Sequence, residues 1–120
     1  MGALLVHLTH GPEAPTRAAL AFLVAKAAVD AGHEVHVFVA GDGVQLLRDA
    51  TTDAVTGIGT GSLRDSLDAV VAGGGRLYAS GMSAKARGIT EDDLSTKSAE
   101  MAMPAKLVEL LFSCDRALTY

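Results

Sequence analysis

Short apolar runs recur along the chain and are separated by longer segments with helical periodicity. Residues 3–8 and 34–40 are runs of strand length, the second rich in β-branched residues, and shorter runs cover 76–79 and 116–120. Continuous apolar runs are typical of strands buried on both faces of a parallel sheet. The alternation of strands and helices therefore predicts an α/β fold: one domain over residues 1–120, with a mainly parallel sheet of four or five strands.

The longest helical segment, residues 16–31, is apolar on almost every side. We expect Thr16 to cap this helix and Gly32 to end it. Only three of its sixteen residues are charged. Helices of this kind are normally buried on more than one side, and a domain of this size offers little second cover. We therefore expect a second subunit to supply that cover.

The other helices are expected to be short. A helix over 44–49 precedes an irregular stretch, 51–61, that is rich in Gly and Thr. Ser62 begins the next helix with a pattern similar to a capping box, and Thr90 caps an acidic first turn. Pro104 is well placed to open the last helix, which we expect to reach about residue 112.

Composition and charge exclude several classes of function. The net charge is −4 and the pI is near 5.4, which argues against a nucleic-acid surface. The first residues lack the pattern of a signal peptide, and no apolar run reaches the ~18 residues of a membrane span. A single cysteine forms neither an internal disulfide nor a thiol metal cluster. We expect a cytoplasmic protein with no membrane or nucleic-acid partner.

Candidate chemistry is concentrated where the run 76–79 ends. A polar loop of small residues follows, and in a parallel sheet it would lie at the carboxyl end of a strand, where α/β proteins bind ligands. Residue 10 ends the first strand in the same way, and we interpret His10 as a polar residue of the same pocket. The candidate ligand-binding residues are His10, Ser80, Gly81, Ser83, Lys85, Arg87 and Gly88.

The order of these residues resembles the active loop of the DsrE/DsrF-like family, including its YchN-like branch. That loop reads G-x-[SC]-x-x-x-R-G-[IL], and Gly81, Arg87, Gly88 and Ile89 match it. The resemblance extends to the closing motif D-R-x-x-x-Y, which here begins at Asp115. It implies a single-domain, three-layer α/β sandwich with helices on both faces of the sheet, and self-association as a trimer or hexamer.

The resemblance also implies sulfur relay, in which a cysteine at the strand end or just after it carries a persulfide. Here Ala79, Ser80 and Ser83 stand where that cysteine is expected. A hydroxyl cannot carry a persulfide, because that intermediate requires a sulfur atom. The chain therefore resembles a non-catalytic or accessory relative of sulfur-relay proteins.

Several of these side chains also have a structural interpretation. Ser80 and Ser83 would need a neighbouring base to act as nucleophiles, so we favour turn formation or ligand hydrogen bonding. Arg87 either holds an anion or braces the loop through backbone carbonyls, and both remain open. Cys114, the only thiol, is interpreted as a small packed residue.

Neither a metal site nor a cofactor is predicted. Histidines three residues apart, as in His7/His10 and His33/His36, do not share a strand face, and no G-x-G-x-x-G motif follows the first strand. The leading hypothesis is an oligomer that binds a small anion or a partner protein through residues 9–15 and 80–88. The alternatives are a sulfurtransferase that uses Cys114, and a scaffold whose partner subunit supplies the cysteine.

Overall fold

The central sheet has five strands, all parallel. The computed structural model describes residues 1–120, and the strands are β1 (Ala3–Leu8), β2 (Glu34–Val39), β3 (Arg76–Ser80), β4 (Ala99–Ala102) and β5 (Arg116–Thr119). They are arranged in the order β4-β3-β2-β1-β5. This arrangement confirms the predicted parallel α/β fold.

Six α-helices connect the strands. They are α1 (Pro15–Asp30), α2 (Asp49–Ala54), α3 (Leu63–Ala72), α4 (Gly81–Ala86), α5 (Glu91–Ser95) and α6 (Pro104–Ser113). A 3-10 helix, Gly41–Leu47, follows β2, and a hairpin of two-residue strands joins α2 to α3. None of the helices has both the length and the apolar character of a membrane span.

The two faces of the sheet are covered very unequally. Val6, Val37 and Leu77 point toward α1 and α3 and belong to a core of 21 buried residues. On the opposite face, a core of only four buried residues joins three strands to Leu110 of α6. The helices thus lie on both faces, as predicted, but α6 alone covers the second face.

Three predicted helix starts are confirmed, and Pro104 is the first residue of α6. The Ser62 hydroxyl accepts a hydrogen bond from the Asp65 amide at 3.2 Å, and Thr90 forms a complete capping box with Asp93. The predicted cap at Thr16 is wrong, because α1 begins one residue earlier at Pro15 and has no side-chain cap. Proline provides a suitable φ angle for a first helical residue and has no amide proton to satisfy.

The sequence pattern missed two further elements. Residues 51–61, predicted to be irregular, include part of α2 and the small hairpin. The predicted helix over 44–49 is instead the end of the 3-10 helix followed by the start of α2. Strand β4 was also missed, since its sequence Ala-Glu-Met-Ala lacks β-branched residues; pairing with β3 makes it a strand.

Candidate functional site

Residues 80–88 form a short helix, α4, rather than the predicted loop. The Ser80 hydroxyl caps it by accepting a hydrogen bond from the Ser83 amide at 3.3 Å. At its other end Gly88 has φ of 70°, and the Ile89 amide donates to the Ala84 carbonyl at 2.9 Å. These features define a Schellman motif, with Gly88 in the left-handed conformation that favours glycine. The helix begins directly at Gly81, because the serine cap outweighs the cost of one glycine in the first turn.

Hydrogen bonds connect helix α4 to the first turn of the 3-10 helix. The Gly41 amide donates to the Ser83 hydroxyl at 2.8 Å. Nε of Arg87 donates to the Asp42 carboxylate at 3.1 Å, and Nη1 donates to the Ser83 carbonyl at 3.3 Å. The hydroxyls of Ser80 and Ser83 therefore both make structural hydrogen bonds. Arg87 also binds a backbone carbonyl of the segment, which agrees with its interpretation as a brace.

The loop after β1 reaches the same place. Gly11 lies so close to Asp42 that a Cβ at position 11 would collide with the Asp42 carbonyl. A Cβ on Gly41 would lie 3.5 Å from the Thr9 carbonyl. The turn at 41–43 thus stands between residues 9–11 and α4. We call this assembly, made of residues 9–11, 41–43 and 80–88, the carboxyl edge.

His10 has one hydrogen-bonded nitrogen and one without a partner. Nη1 of Arg17 lies 3.0 Å from Nε2 of His10. Because a guanidinium can only donate, Nε2 accepts this hydrogen bond and the neutral ring carries its proton on Nδ1. Nδ1 is buried and has no hydrogen-bond partner. The carboxyl edge therefore contains a donor that lacks an acceptor.

Cations that lack a carboxylate partner are concentrated at this edge. Five of the ten Lys and Arg side chains make no ion pair, and three of these five are Arg17, Lys85 and Arg48. Arg48 donates through Nη2 to the Arg87 carbonyl at 3.0 Å. Nη2 of Arg87 makes no hydrogen bond, and the side chain is 31% exposed. On a chain of net charge −4, this edge carries a local excess of positive charge.

The serines lack the surroundings of a nucleophile. Ser80 is 9% exposed, and neither Ser80 nor Ser83 has a histidine as a hydrogen-bond partner. A general base needs a free lone pair, and the lone pair on Nε2 of His10 already accepts a hydrogen bond from Arg17. These contacts support hydrogen-bonding and structural roles for the two hydroxyls.

Cys114 lies at the opposite end of the sheet. It precedes β5, whereas Tyr120 continues the register of that strand to the level of Leu8 and Ala79. Six residues at about 3.3 Å each place the thiol ~20 Å below Ala79 along the strands. Burial raises the pKa of Cys114, and the carboxylates of Glu34 and Asp115 raise it further against the opposing hydrogen bond with Ser113. The thiol is therefore remote from the carboxyl edge and poorly ionised at neutral pH.

The structure also contains two open cavities, and neither borders α4. One of about 450 Å³ lies at the amino ends of the strands, beside Leu4, His33 and Arg116. The other, of about 480 Å³, lies between Pro12, Pro15 and α2. The exposed cations of the carboxyl edge consequently lie on an open surface rather than in an enclosed pocket.

Two residues of this edge were missed by reasoning from sequence. Asp42 and Arg48 contact Arg87 from positions 45 and 39 residues away, respectively. The glycines on both sides of Asp42 signalled a tight turn there. No local pattern indicated that its carboxylate would pair with Arg87.

A parallel sheet with helices on both faces, and a serine-capped helix directly after β3, makes this chain an α/β protein of the three-layer type. The family model of the DsrE/DsrF-like family matches residues 3–120. The chain belongs to the DsrE/DsrF-like family, as the loop and closing motifs indicated. No curated protein matches it in sequence.

Solved structures share the fold at low sequence identity. The YchN protein from E. coli has a TM-score of 0.77 at 16% identity, and each chain is covered completely. BT1422 from Bacteroides thetaiotaomicron, described as a conserved protein of unknown function, has a TM-score of 0.74 at 12% identity, with 99% of this chain and 95% of that chain covered. MTH1491 from Methanobacterium thermoautotrophicum, also described as a protein of unknown function, has a TM-score of 0.69 at 15% identity, and each chain is covered completely. These likenesses establish the fold.

Proposed function

We propose that this protein is an accessory relative of sulfur-relay proteins that binds a small anion at the carboxyl edge and does not carry sulfur there. The proposal is carried by the unpaired cations of the carboxyl edge, with Lys85 and Arg48 at α4 and Arg17 at His10, near the position where the family resemblance places a cysteine. The hydroxyls of Ser80 and Ser83 stand at that position and are used to hold the helix. They cannot form the persulfide that relay requires.

The anion would lie on the exposed surface of α4. Lys85 is exposed and offers an ammonium without a partner, and Nη2 of Arg87 offers two donors that make no hydrogen bond within the chain. Charged donors that converge on one oxyanion bind it more strongly than neutral donors do.

The experiment is a titration with thiosulfate, followed by amide chemical shifts at low ionic strength. We expect the largest shifts in residues 80–88. Lys85→Ala should weaken binding roughly two- to fivefold, the usual contribution of an exposed charge. Lys26→Ala is the matched control, because Lys26 lies on α1 and already pairs with Asp30 at 3.3 Å. Equal loss in both variants, or shifts spread over the whole surface, would contradict a site at α4.

We also propose that the chain self-associates as a trimer or hexamer, a proposal supported by large apolar side chains on its surface. The sequence led us to expect this surface on α1, which does expose Leu20 while burying its inner face. A larger group of exposed apolar side chains lies on α6, where Phe112 is 90% exposed and Val108 and Leu111 are about half exposed. Exposed patches of this size often mark interfaces. A partner subunit that supplies a cysteine could use the same surface.

A further inference from the structure

All the methionines after Met1 lie beside the carboxyl end of β3. Met82 is the second residue of α4, Met101 lies in β4, and Met103 directly precedes α6. The Sδ atoms of Met103 and Met101 lie 3.5 and 3.9 Å, respectively, from the point that a Cβ on Gly81 would occupy. Two thioethers therefore converge over Gly81, directly next to Met82.

Core packing does not account for this cluster. Met82 and Met103 are 63% and 54% exposed, and Met101 is half-buried at the margin of the larger core. Apolar side chains that serve only the core would be covered. Gly81 has no side chain, so the two sulfurs and the Ala102 carbonyl are the nearest atoms to the point that a Cβ would occupy.

We propose that Met82, Met101 and Met103 form a binding site for a soft monovalent cation of the Cu(I) class. Thioether sulfur is a soft ligand and selects Cu(I) over the hard cations that oxygen ligands bind. The methionine side chain has three rotatable bonds, so the sulfurs can close around an ion while the backbone stays in place. The side chains proposed for the two sites are different ones, since Arg87 pairs with Asp42 of the 3-10 helix and Arg48 donates to the Arg87 carbonyl.

Calorimetric titration with Ag(I), which has the same soft character and is stable in air, tests the site on the full chain. We expect one ion per chain at this site, counted in Cys114→Ser, which lacks the competing thiol. The triple variant Met82→Leu, Met101→Leu, Met103→Leu should lose at least tenfold in affinity while keeping its circular dichroism spectrum, since Leu and Met have similar volumes. Gly81→Ala should also weaken binding, because the new methyl group occupies the space in front of the sulfurs at ordinary contact distances.

Cys114 supplies the matched control, because a thiol is the competing soft ligand of this chain. Cys114→Ser should bind Ag(I) as tightly as the unmodified chain. Thioethers have no proton to lose, so the affinity should be the same at pH 7 and pH 5, whereas thiolate or imidazole ligation weakens in acid. Loss of binding in Cys114→Ser, a marked loss at pH 5, or full binding by the triple methionine variant would overturn the proposal.

Discussion

Replacing Asp42 by Asn should have opposite effects on stability and on anion binding. The Asp42 carboxylate accepts from Nε of Arg87 at 3.1 Å, with the two side chains 49% and 31% exposed, respectively. An asparagine oxygen can accept the same hydrogen bond without its charge. Because partly exposed ion pairs contribute little, we expect a loss of only about 0.5–1 kcal/mol in the free energy of unfolding.

The same substitution removes a negative charge that repels an anion on α4. At a separation of roughly 7 Å and an effective dielectric constant of about 50, that repulsion is about 1 kcal/mol. Asp42→Asn should therefore bind thiosulfate about fivefold more tightly, since 1.4 kcal/mol corresponds to a factor of ten. Arg87→Ala is the contrasting variant. It loses both hydrogen bonds of the brace and a positive charge, so both stability and affinity should fall.

Urea denaturation and thiosulfate titration on the same three proteins separate these effects. The reasoning requires Asp42→Asn to be slightly less stable and a tighter binder than the unmodified chain. If its affinity is unchanged or lower, the anion does not lie near Arg87, and the guanidinium is a structural brace alone.

Two further predictions concern the buried lysine and the apolar patch. The Lys97 side chain is 1% exposed, and its Nζ donates to Asp49 at 2.6 Å. Asp49→Asn leaves the buried ammonium without its counterion, whereas Lys97→Met replaces the ammonium by an apolar group. Asp49→Asn should therefore be less stable to urea than Lys97→Met. The hydrogen bond from Lys97 holds the pKa of Asp49 below its ordinary 3.8. The difference in free energy of unfolding between the unmodified chain and Asp49→Asn should therefore be largest above about pH 4 and should disappear as the pH falls through the lowered pKa. Phe112→Ser should shift the chain to monomers of 12.3 kDa in light scattering, whereas the 92% exposed Ile58→Ser should not; a monomeric unmodified chain would contradict self-association.

The fold was predictable wherever local patterns and tertiary context agree. The run at 3–8 is β1 as predicted, and the caps at Ser62 and Thr90 begin helices. Strand β4 was missed, because Glu100 and its neighbours have no strand preference of their own and pair only because β3 presents an open edge. Helix α4 was missed because residues 80–88 were interpreted as a polar loop and the cap at Ser80 was not considered.

The candidate site was predictable in position but not in its contacts. Parallel strands bring residue 10 and residue 80 to one edge, so the candidate residues could be grouped from sequence. The pairing of Arg87 with Asp42 depends on side-chain geometry across 45 residues. The unpartnered Nδ1 of His10 likewise depends on which nitrogen Arg17 contacts, which no sequence pattern specifies.

Mapping of sulfane sulfur tests the central claim most directly. The protein is incubated with a persulfide donor, and sulfur adducts on its peptides are located by mass spectrometry. Transfer of the bound sulfur from the protein to an acceptor thiol is then measured. We predict no sulfur adduct on the peptide that carries Ser80 and Ser83, because neither side chain has a sulfur atom, and no transferable sulfur on Cys114, whose thiol has a raised pKa and lies ~20 Å from the carboxyl edge. Stable sulfane sulfur on Cys114 that passes to the acceptor and disappears in Cys114→Ala would contradict the account and identify a sulfurtransferase.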